Sequence, residues 1–191
     1  NCVLISSSTN LPINLNVSSV IGHLLDPSLS QYYDTYSGFD FSPIDPTFNV
    51  SQRLRSKLKE NINNLFIGFG ASNDSSIFTK ILNGLINFNY SGKVCILLSP
   101  VYYNKYKYIN KFNNHLNIDI YQNINSIKDL LIKSDMVVGS YGNLTYESLY
   151  LGRPFAAINF KEFQNKYSRI LENKFVLKNF GLSSDFNSNM V

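Results

Sequence analysis

The residues best suited to chemistry lie in one short stretch near position 140. Gly139 and Gly142 follow an apolar run, and Thr145 and Glu147 fall at the start of the next segment. Glycines let a ligand approach the backbone closely, and a helix that begins here attracts an anion through its unpaired N–H groups and its dipole. Glu147 is placed either to accept two hydrogen bonds from a vicinal diol such as ribose, or simply to act as a favourable carboxylate near a helix N-terminus.

A second loop, at residues 68–74, has similar properties. Gly68 and Gly70 end another apolar run, and Ser72, Asn73 and Asp74 come just before a predicted helix that any of them can cap. The free N–H groups of that helix would favour a diphosphate. An ordinary capped strand–helix turn explains the same residues equally well.

The elements that position both loops alternate between strand and helix. Apolar runs predict strands at 65–69, 93–99, 118–121, 136–139 and 155–158, and helical spacing predicts helices at 74–87, 101–113, 127–134, 144–151 and 163–173. This alternation predicts an α/β domain, a Rossmann-like doubly wound parallel sheet. Ligands of such sheets bind beyond the carboxyl ends of the strands, where both loops are expected.

The first 50 residues are irregular. Short strands are predicted at 2–6 and 20–25, Pro27, Pro43 and Pro46 then interrupt the chain, and a polar helix is predicted at 49–60. The abrupt apolar start suggests a strand entered in the middle of a protein. We therefore expect 1–50 to be the end of a missing N-terminal domain with its linker, and 51–191 to be the Rossmann-like domain.

The stretch from Met136 to Pro154 resembles the C-terminal domain of glycosyltransferase-B enzymes. A strand, a Gly-rich turn, Thr-x-Glu and then Leu-Gly-x-Pro follow one another in the order seen in the UDP-sugar hydrolases of pseudaminic acid biosynthesis. The peptidoglycan UDP-N-acetylglucosamine transferases are also similar. The loop at 67–73 resembles the "FGGSD" loop of the hydrolases, and the likeness extends over roughly residues 60–182.

The resemblance implies a UDP-sugar site in the C-terminal half of a glycosyltransferase-B fold. Glu147 would bind the ribose. Gln164 would reach the sugar or its neighbouring loop, and Asn165 is implied as a second residue of the substrate site. Backbone groups of one further loop would cradle the uracil, and two glycine-containing loops would hold the diphosphate. These residues are Asn123, Ile124 and Asn125 for the uracil, and Gly70, Ala71, Ser72, Gly142, Asn143, Leu144 and Thr145 for the diphosphate.

Three residues depart from the pattern of the resembled enzymes. Ala71 stands in place of a second glycine, Tyr141 in place of a small residue, and Phe163 in place of a polar one. Tyr141 would narrow the phosphate channel if its ring pointed there.

No catalytic residue can be assigned. In the resembled enzymes the acid or base lies on an N-terminal loop near a histidine, whereas His23 is expected in a strand and His115 in a surface loop. No Ser-His-Asp arrangement and no metal-ligand spacing occurs, so neither a metal nor a cofactor is expected. We expect the chain to bind its ligand but not to turn it over.

The composition narrows the classes of protein further. Hydrophobic residues make up 44% and charged residues 16% of the chain, which favours a packed domain over disorder. The net charge of +4 is scattered, apart from a cluster between Arg53 and Lys59, which is typical of a solvated helix face. Aromatic residues between Tyr102 and Tyr108 have helical spacing, so they favour a core-facing helix over a nucleic-acid surface.

The cysteines and the apolar runs bear on the location of the protein. Cys2 and Cys95 both lie in apolar stretches, which favours two buried thiols over a disulfide. This weakly indicates the cytoplasm. No run approaches the length of a membrane span.

Three functions fit the sequence. The first is a bacterial UDP-sugar hydrolase of surface-glycan biosynthesis, with water attacking the activated sugar. The second is a glycosyltransferase that uses the same nucleotide site with a hydroxyl acceptor. The third is a non-catalytic domain that binds a nucleotide sugar or serves as a scaffold. The first two would differ in the N-terminal half, so the missing domain is an expected partner of the chain.

Overall fold

The computed structural model of the protein describes residues 2–6, 11–22, 27–42, 44–50, 60–70, 76–99, 107–175 and 177–190. The chain divides into two compact units, Asn1–Pro46 and Thr47–Val191.

The first unit contains a small parallel sheet. Its strands are β1 (Val3–Ile5), β2 (Ser19–Gly22) and β3 (Asp34–Ser37), with β2 in the middle. Val20, Leu29 and Tyr33 form its buried core, and the Tyr33 hydroxyl accepts a hydrogen bond from the backbone N–H of Leu15 (2.8 Å). Strand β3 was not predicted, because its sequence contains no apolar run.

The second unit is built on a six-stranded parallel sheet. Its strands occur in the order β6-β5-β4-β7-β8-β9. Numbered within this unit, that order is 3-2-1-4-5-6, the order of a Rossmann-like doubly wound sheet. The strands are β4 (Asn64–Gly68), β5 (Lys93–Leu97), β6 (Asn117–Tyr121), β7 (Met136–Gly139), β8 (Phe155–Asn159) and β9 (Leu177–Leu182).

Five α-helices accompany this sheet within the described ranges. They are α1 (Ser76–Asn87), α2 (Lys107–Asn110), α3 (Lys128–Lys133), α4 (Asn143–Tyr150) and α5 (Glu162–Glu172). The predicted α/β alternation is therefore confirmed. The predicted helix at 101–113 is represented by α2 and the turns up to residue 115, while 100–106 lie outside the described residues. Most of the helix predicted at 49–60, including the basic cluster, also lies outside them; Pro46–Val50 form a 3-10 helix.

Both faces of the central strands are buried, which explains their continuous apolar sequences. Ile67, Ile96 and Val138 face one side and pack in a core with Ile77 and Leu82 of α1. The alternate residues of the same strands point the other way. They are also buried, and include Phe66, Val137, Phe155 and Ala157.

Strand β9 was missed by the sequence prediction. Lys178, Asn179 and Gly181 interrupt its apolar character, and most of the strand is only half-buried. It lies at the edge of the sheet, and its register with β8 shifts between Ala157 and Asn159. An edge strand with an irregular register needs no apolar alternation, so period-two patterns do not detect it.

Candidate functional site

A cavity of about 640 Å³ lies at the carboxyl ends of β4, β7 and β8. Strands β4 and β7 are neighbours in the sheet although β5 and β6 separate them in the chain. This is the point where the strand order reverses, and ligands of doubly wound sheets bind there. The residues that line the cavity are Gly68, Phe69, Gly70, Ser140, Tyr141, Gly142, Asn143, Leu144, Phe160, Lys161 and Gln164.

Two glycines bring the ends of β4 and β7 together beneath the cavity. Gly68 and Gly139 are paired in the ladder. A Cβ atom on Gly139 would lie 2.6 Å from the carbonyl oxygen of Gly68 and 2.9 Å from the Leu144 side chain. Only glycine at position 139 therefore lets the start of α4 pack directly onto the sheet.

Helix α4 begins at the cavity without a side-chain cap. Its N-cap is Gly142, which offers no capping side chain. The first N–H groups of a helix have no partner within it, and Asn143 and Leu144, the first two residues of α4, both line the cavity. Gly142 is extended rather than left-handed (φ 162°), and a Cβ atom there would meet open space. The helix terminus therefore has open space in front of its N-cap, an arrangement that favours anions in general.

The Thr145 hydroxyl stabilises the turn that precedes α4. It accepts a hydrogen bond from the backbone N–H of Gly142 (3.2 Å) and donates one to the carbonyl oxygen of Ser140 (3.3 Å). Its side chain is fully buried. Thr145, one of the predicted diphosphate residues, thus contributes by shaping the loop.

Lys161 brings a cationic side chain to the wall of the cavity between β8 and α5. It lies two residues after the end of β8 and is the N-cap of α5. Beside it, the Phe160 ring contacts the Phe69 ring edge to face, with centroids 5.5 Å apart. Lys161 was missed by the sequence prediction, although its place just after a strand at the ligand-binding edge was a usable signal.

The Tyr141 ring turns away from the cavity into the protein. The residue is 6% exposed, its ring stacks on Tyr167, and its hydroxyl shares a hydrogen bond of 3.0 Å with that of Tyr146. Burial, together with the neighbouring Tyr146, raises the pKa of Tyr141 far above its ordinary value. Burial also raises the pKa of Tyr146, to about 12. Both phenols therefore stay neutral, and the side chain at position 141 is packed in the protein interior.

Of the three diphosphate residues predicted in the loop at 68–74, only Gly70 can be placed. It lines the cavity and has a left-handed conformation (φ 56°), which favours glycine. Ala71 and Ser72 lie outside the described residues.

Glu147 lies one helical turn beyond Asn143 on α4. It is half-buried and is not one of the residues that line the cavity. Residues four positions apart lie on the same side of a helix, so a ligand that extends from Asn143 along α4 would meet Glu147. Its role in ribose binding stays a prediction.

The predicted uracil loop lies further along the same edge. Asn123, Ile124 and Asn125 follow the carboxyl end of β6, two strands away from β4. At ~4.8 Å between neighbouring strands, that separation is roughly 10 Å. Asn123 is exposed and has a left-handed backbone (φ 51°). None of the three residues is among those that line the cavity, so their role in binding uracil stays a prediction.

Gln164 and Asn165 have different surroundings. Gln164 lines the cavity and is held by backbone groups on both of its walls. Asn165 is buried, and its side-chain oxygen accepts a hydrogen bond from the Asn179 amide (2.8 Å).

The Leu-Gly-Arg-Pro stretch ends α4. Gly152 has a left-handed backbone (φ 70°), its N–H donates to the carbonyl of Leu149, and the N–H of Arg153 donates to that of Ser148. This is a helix C-terminal motif that favours glycine. The Arg153 guanidinium is buried and donates to the carbonyl oxygen of Ile132 (2.6 Å). This part of the resemblance is therefore explained by folding rather than by ligand contact.

The histidines and cysteines noted in the sequence are not among the described residues that line the cavity. His115 is exposed in a turn, and His23 lies outside the described residues. Both cysteines are free thiols, but Cys2 is exposed rather than buried, because β1 lies at the edge of its small sheet. Cys95 is half-buried, and burial raises its pKa. In the described part of the chain, no group of three metal-binding side chains occurs, and no helix is long and apolar enough to span a membrane.

Comparison with models of known protein families finds no match for this chain. Among curated proteins, it is similar to an uncharacterized protein of Methanocaldococcus jannaschii, with 31% identity over 119 residues. The matched region is 59% of this chain and 24% of that protein, so the chain spans about a quarter of the length of this relative.

Proposed function

We propose that this chain binds a UDP-sugar, with the diphosphate at the N-terminus of α4. The observation that carries the proposal is the cavity at the reversal of strand order, which is lined both by the uncapped N-terminus of α4 and by Lys161. The resemblance of residues 136–154 to UDP-sugar enzymes is consistent with this ligand. From the same resemblance we propose that the chain is the C-terminal half of a glycosyltransferase-B fold.

The electrostatics of the cavity favour a diphosphate. The N-terminus of a helix carries roughly half an elementary positive charge, and Lys161 adds a full one. No Asp or Glu occurs among the described residues that line the cavity. An anion bound there would gain hydrogen bonds from α4, and no described lining residue would place a carboxylate against it. The open space at Gly142 would let the phosphate oxygens of the ligand reach the N–H groups of α4.

The reaction that suits this site is the release of UDP from an activated sugar, as in a bacterial sugar-nucleotide hydrolase of surface-glycan biosynthesis. The α4 N–H groups and Lys161 would stabilise the negative charge that develops on the departing diphosphate. The described lining residues include no carboxylate or imidazole that could serve as a general base. We therefore propose that the base for a hydrolase comes from outside this cavity.

That same lack of a base among the described lining residues favours a second candidate, a domain that binds nucleotide sugars without catalysis. Incubating the chain with a UDP-sugar and measuring released UDP separates the two. Release that depends on Lys161 would favour the hydrolase, and binding without release would favour the binding domain or a chain that needs a partner for turnover.

Calorimetric titration of the chain with UDP, CDP and GDP tests the proposal. We expect UDP to bind most tightly, because the loop at Asn123–Asn125 is proposed to select uracil through its backbone groups. Failure of all three to bind at millimolar concentration would contradict the proposal. Equal binding of all three would keep the diphosphate site but remove the base-reading role of the loop.

The ribose contact is tested by Glu147→Ala with two ligands. Loss of charged hydrogen bonds to the diol should weaken UDP binding by about 1.5–3 kcal/mol. Inorganic pyrophosphate has no ribose, so its affinity should not fall. An equal loss for both ligands, or no loss for either, would show that Glu147 does not bind the ribose.

A further inference from the structure

The backbone of Tyr141 is held on both sides by side chains from β8 and α5. Its N–H donates to the side-chain oxygen of Asn159 (2.9 Å), and its carbonyl oxygen accepts a hydrogen bond from the side-chain amide of Gln164 (3.0 Å). Tyr141 directly precedes Gly142, the N-cap of α4. We propose that Asn159 and Gln164 are positioning residues that set the anion-binding loop before the ligand arrives. This inference rests on the proposed function.

The orientation of the Asn159 amide is fixed by a chain of hydrogen bonds. The backbone N–H of Gly181 donates to the side-chain oxygen of Asn179 (3.1 Å), and the nitrogen of Asn159 donates to that same oxygen (3.1 Å). Because a backbone N–H can only donate, it determines which end of Asn179 faces Asn159. The nitrogen of Asn159 must then point towards β9, and its oxygen towards Tyr141. Asn159 is fully buried, so water does not compete for these bonds.

Gln164 connects the two walls of the cavity. Its side-chain oxygen accepts hydrogen bonds from the backbone N–H groups of Phe160 (3.1 Å) and Lys161 (3.2 Å), while its nitrogen donates to Tyr141. The Gln164 side chain thus connects the backbone just before the α4 terminus to the backbone at Phe160 and Lys161. Its oxygen already accepts two hydrogen bonds. Of the two roles that the resemblance implies, contact with the sugar or with a neighbouring loop, these bonds favour the second.

The same contacts determine which groups the loop offers to a ligand. The Ser140 carbonyl and the Gly142 N–H both bind the Thr145 hydroxyl. The two polar groups of the Tyr141 backbone are engaged as well, so these loop groups are held by protein partners and the N–H groups at the start of α4 are the backbone donors that we propose for the ligand. A loop fixed in this way loses little conformational entropy when an anion binds, which favours affinity.

The test compares Gln164→Leu with the unaltered chain and with Ile170→Ala, a neutral change on the exposed side of the same helix. Calorimetry with UDP and with UDP-N-acetylglucosamine gives both affinities, and amide NMR follows Gly142 and Asn143. Gln164→Leu should weaken the binding of both ligands by the same factor, about three- to tenfold. The hydrogen bond from Gln164 to the Tyr141 carbonyl is lost, and it supports the loop whichever ligand binds. The Gly142 and Asn143 signals should broaden in the free variant and sharpen with UDP. Ile170→Ala should change neither.

Several results would overturn the inference. A loss confined to UDP-N-acetylglucosamine would mean that Gln164 contacts the sugar, and equal losses with unchanged amide signals would mean that it contacts the diphosphate. Unchanged affinities would mean that the hydrogen bond from Gln164 to Tyr141 does not matter for binding. If Gln164→Leu does not fold, Gln164→Met, which has a similar length and no hydrogen-bonding amide, replaces it. Failure of the unaltered chain to bind either ligand removes the proposed function itself, which is a result distinct from any effect of the variants.

Discussion

The two ends of α4 both have a glycine, but for opposite reasons. Gly152 at the C-terminus has a left-handed backbone, and its N–H takes part in ending the helix. Gly142 at the N-terminus has an extended backbone that any residue can adopt, and open space surrounds its missing Cβ atom. Gly152 therefore serves the fold, whereas Gly142 has no such structural requirement, and the proposed function explains it by the need for space in front of α4. Substitutions at and around the two ends of α4 should therefore affect the free energy of unfolding and the affinity for UDP to different extents.

The largest effect is expected for Gly139→Ala, beneath the N-terminal end. The new methyl group would lie 2.6 Å from the Gly68 carbonyl oxygen, and backbone atoms of a central strand cannot easily move aside. Overpacking of this kind should lower the free energy of unfolding by about 3 kcal/mol. Urea unfolding followed by circular dichroism measures the change. An unfolding midpoint equal to that of the unaltered chain would show that the strands separate at little cost.

Lys161→Ala should mainly affect binding. It removes the ammonium of the second wall, and the UDP affinity should fall by about 2 kcal/mol, a typical value for a charged hydrogen bond. The loss should shrink as salt is added, since ions screen exposed charges. Lys166→Ala removes a charge from the same helix outside the cavity lining and should leave UDP affinity unaltered. Similar losses in both variants would indicate a net-charge effect and no specific contact.

Gly142→Ala should weaken UDP binding by about 1.5 kcal/mol, roughly tenfold, because its methyl group would occupy space in front of the α4 N–H groups. Its effect on unfolding should stay within about 0.5 kcal/mol, since the added atom meets no neighbour. Calorimetry and urea unfolding on the same preparation measure both. A destabilised protein with normal UDP affinity would show that Gly142, like Gly152, serves the fold and not the binding of UDP.

Gly152→Ala should have the smallest effect, and on stability alone. A side chain in the left-handed conformation costs about 1 kcal/mol, so the free energy of unfolding should fall by that amount. UDP affinity should not change, because Gly152 lies at the far end of α4 from the cavity. A weaker affinity for UDP would mean that the C-terminal end of α4 also contributes to the site.

The fold could be predicted from the sequence largely because its central strands are buried on both faces. Strand β7 was predicted with its observed bounds, and the start and end of α4 and α5 were each within one residue. Strand β9 was missed because an edge strand with Asn179 and Gly181 shows no apolar pattern. Strand β3 of the first unit was missed for the same lack of an apolar run.

The site was predictable only where a local motif marked it. Gly142, Asn143 and Leu144 stand out because a glycine-rich turn begins a helix there, and all three line the cavity. Asn159 did not stand out, since its partner Tyr141 is 18 residues away and the contact exists only in the folded sheet. The direction of the Tyr141 ring was likewise decided by its packing on Tyr167, which no spacing rule reveals.

The central claim is that a diphosphate binds at the N-terminus of α4, and NMR titration of the labelled chain with UDP tests it most directly. Hydrogen bonds from the first helical N–H groups to phosphate should move the amide protons of Asn143 and Leu144 downfield more than those of the rest of α4. Saturable shifts at these two amides would support the account. Unchanged Asn143 and Leu144 signals at saturating UDP, with shifts gathered elsewhere, would contradict it.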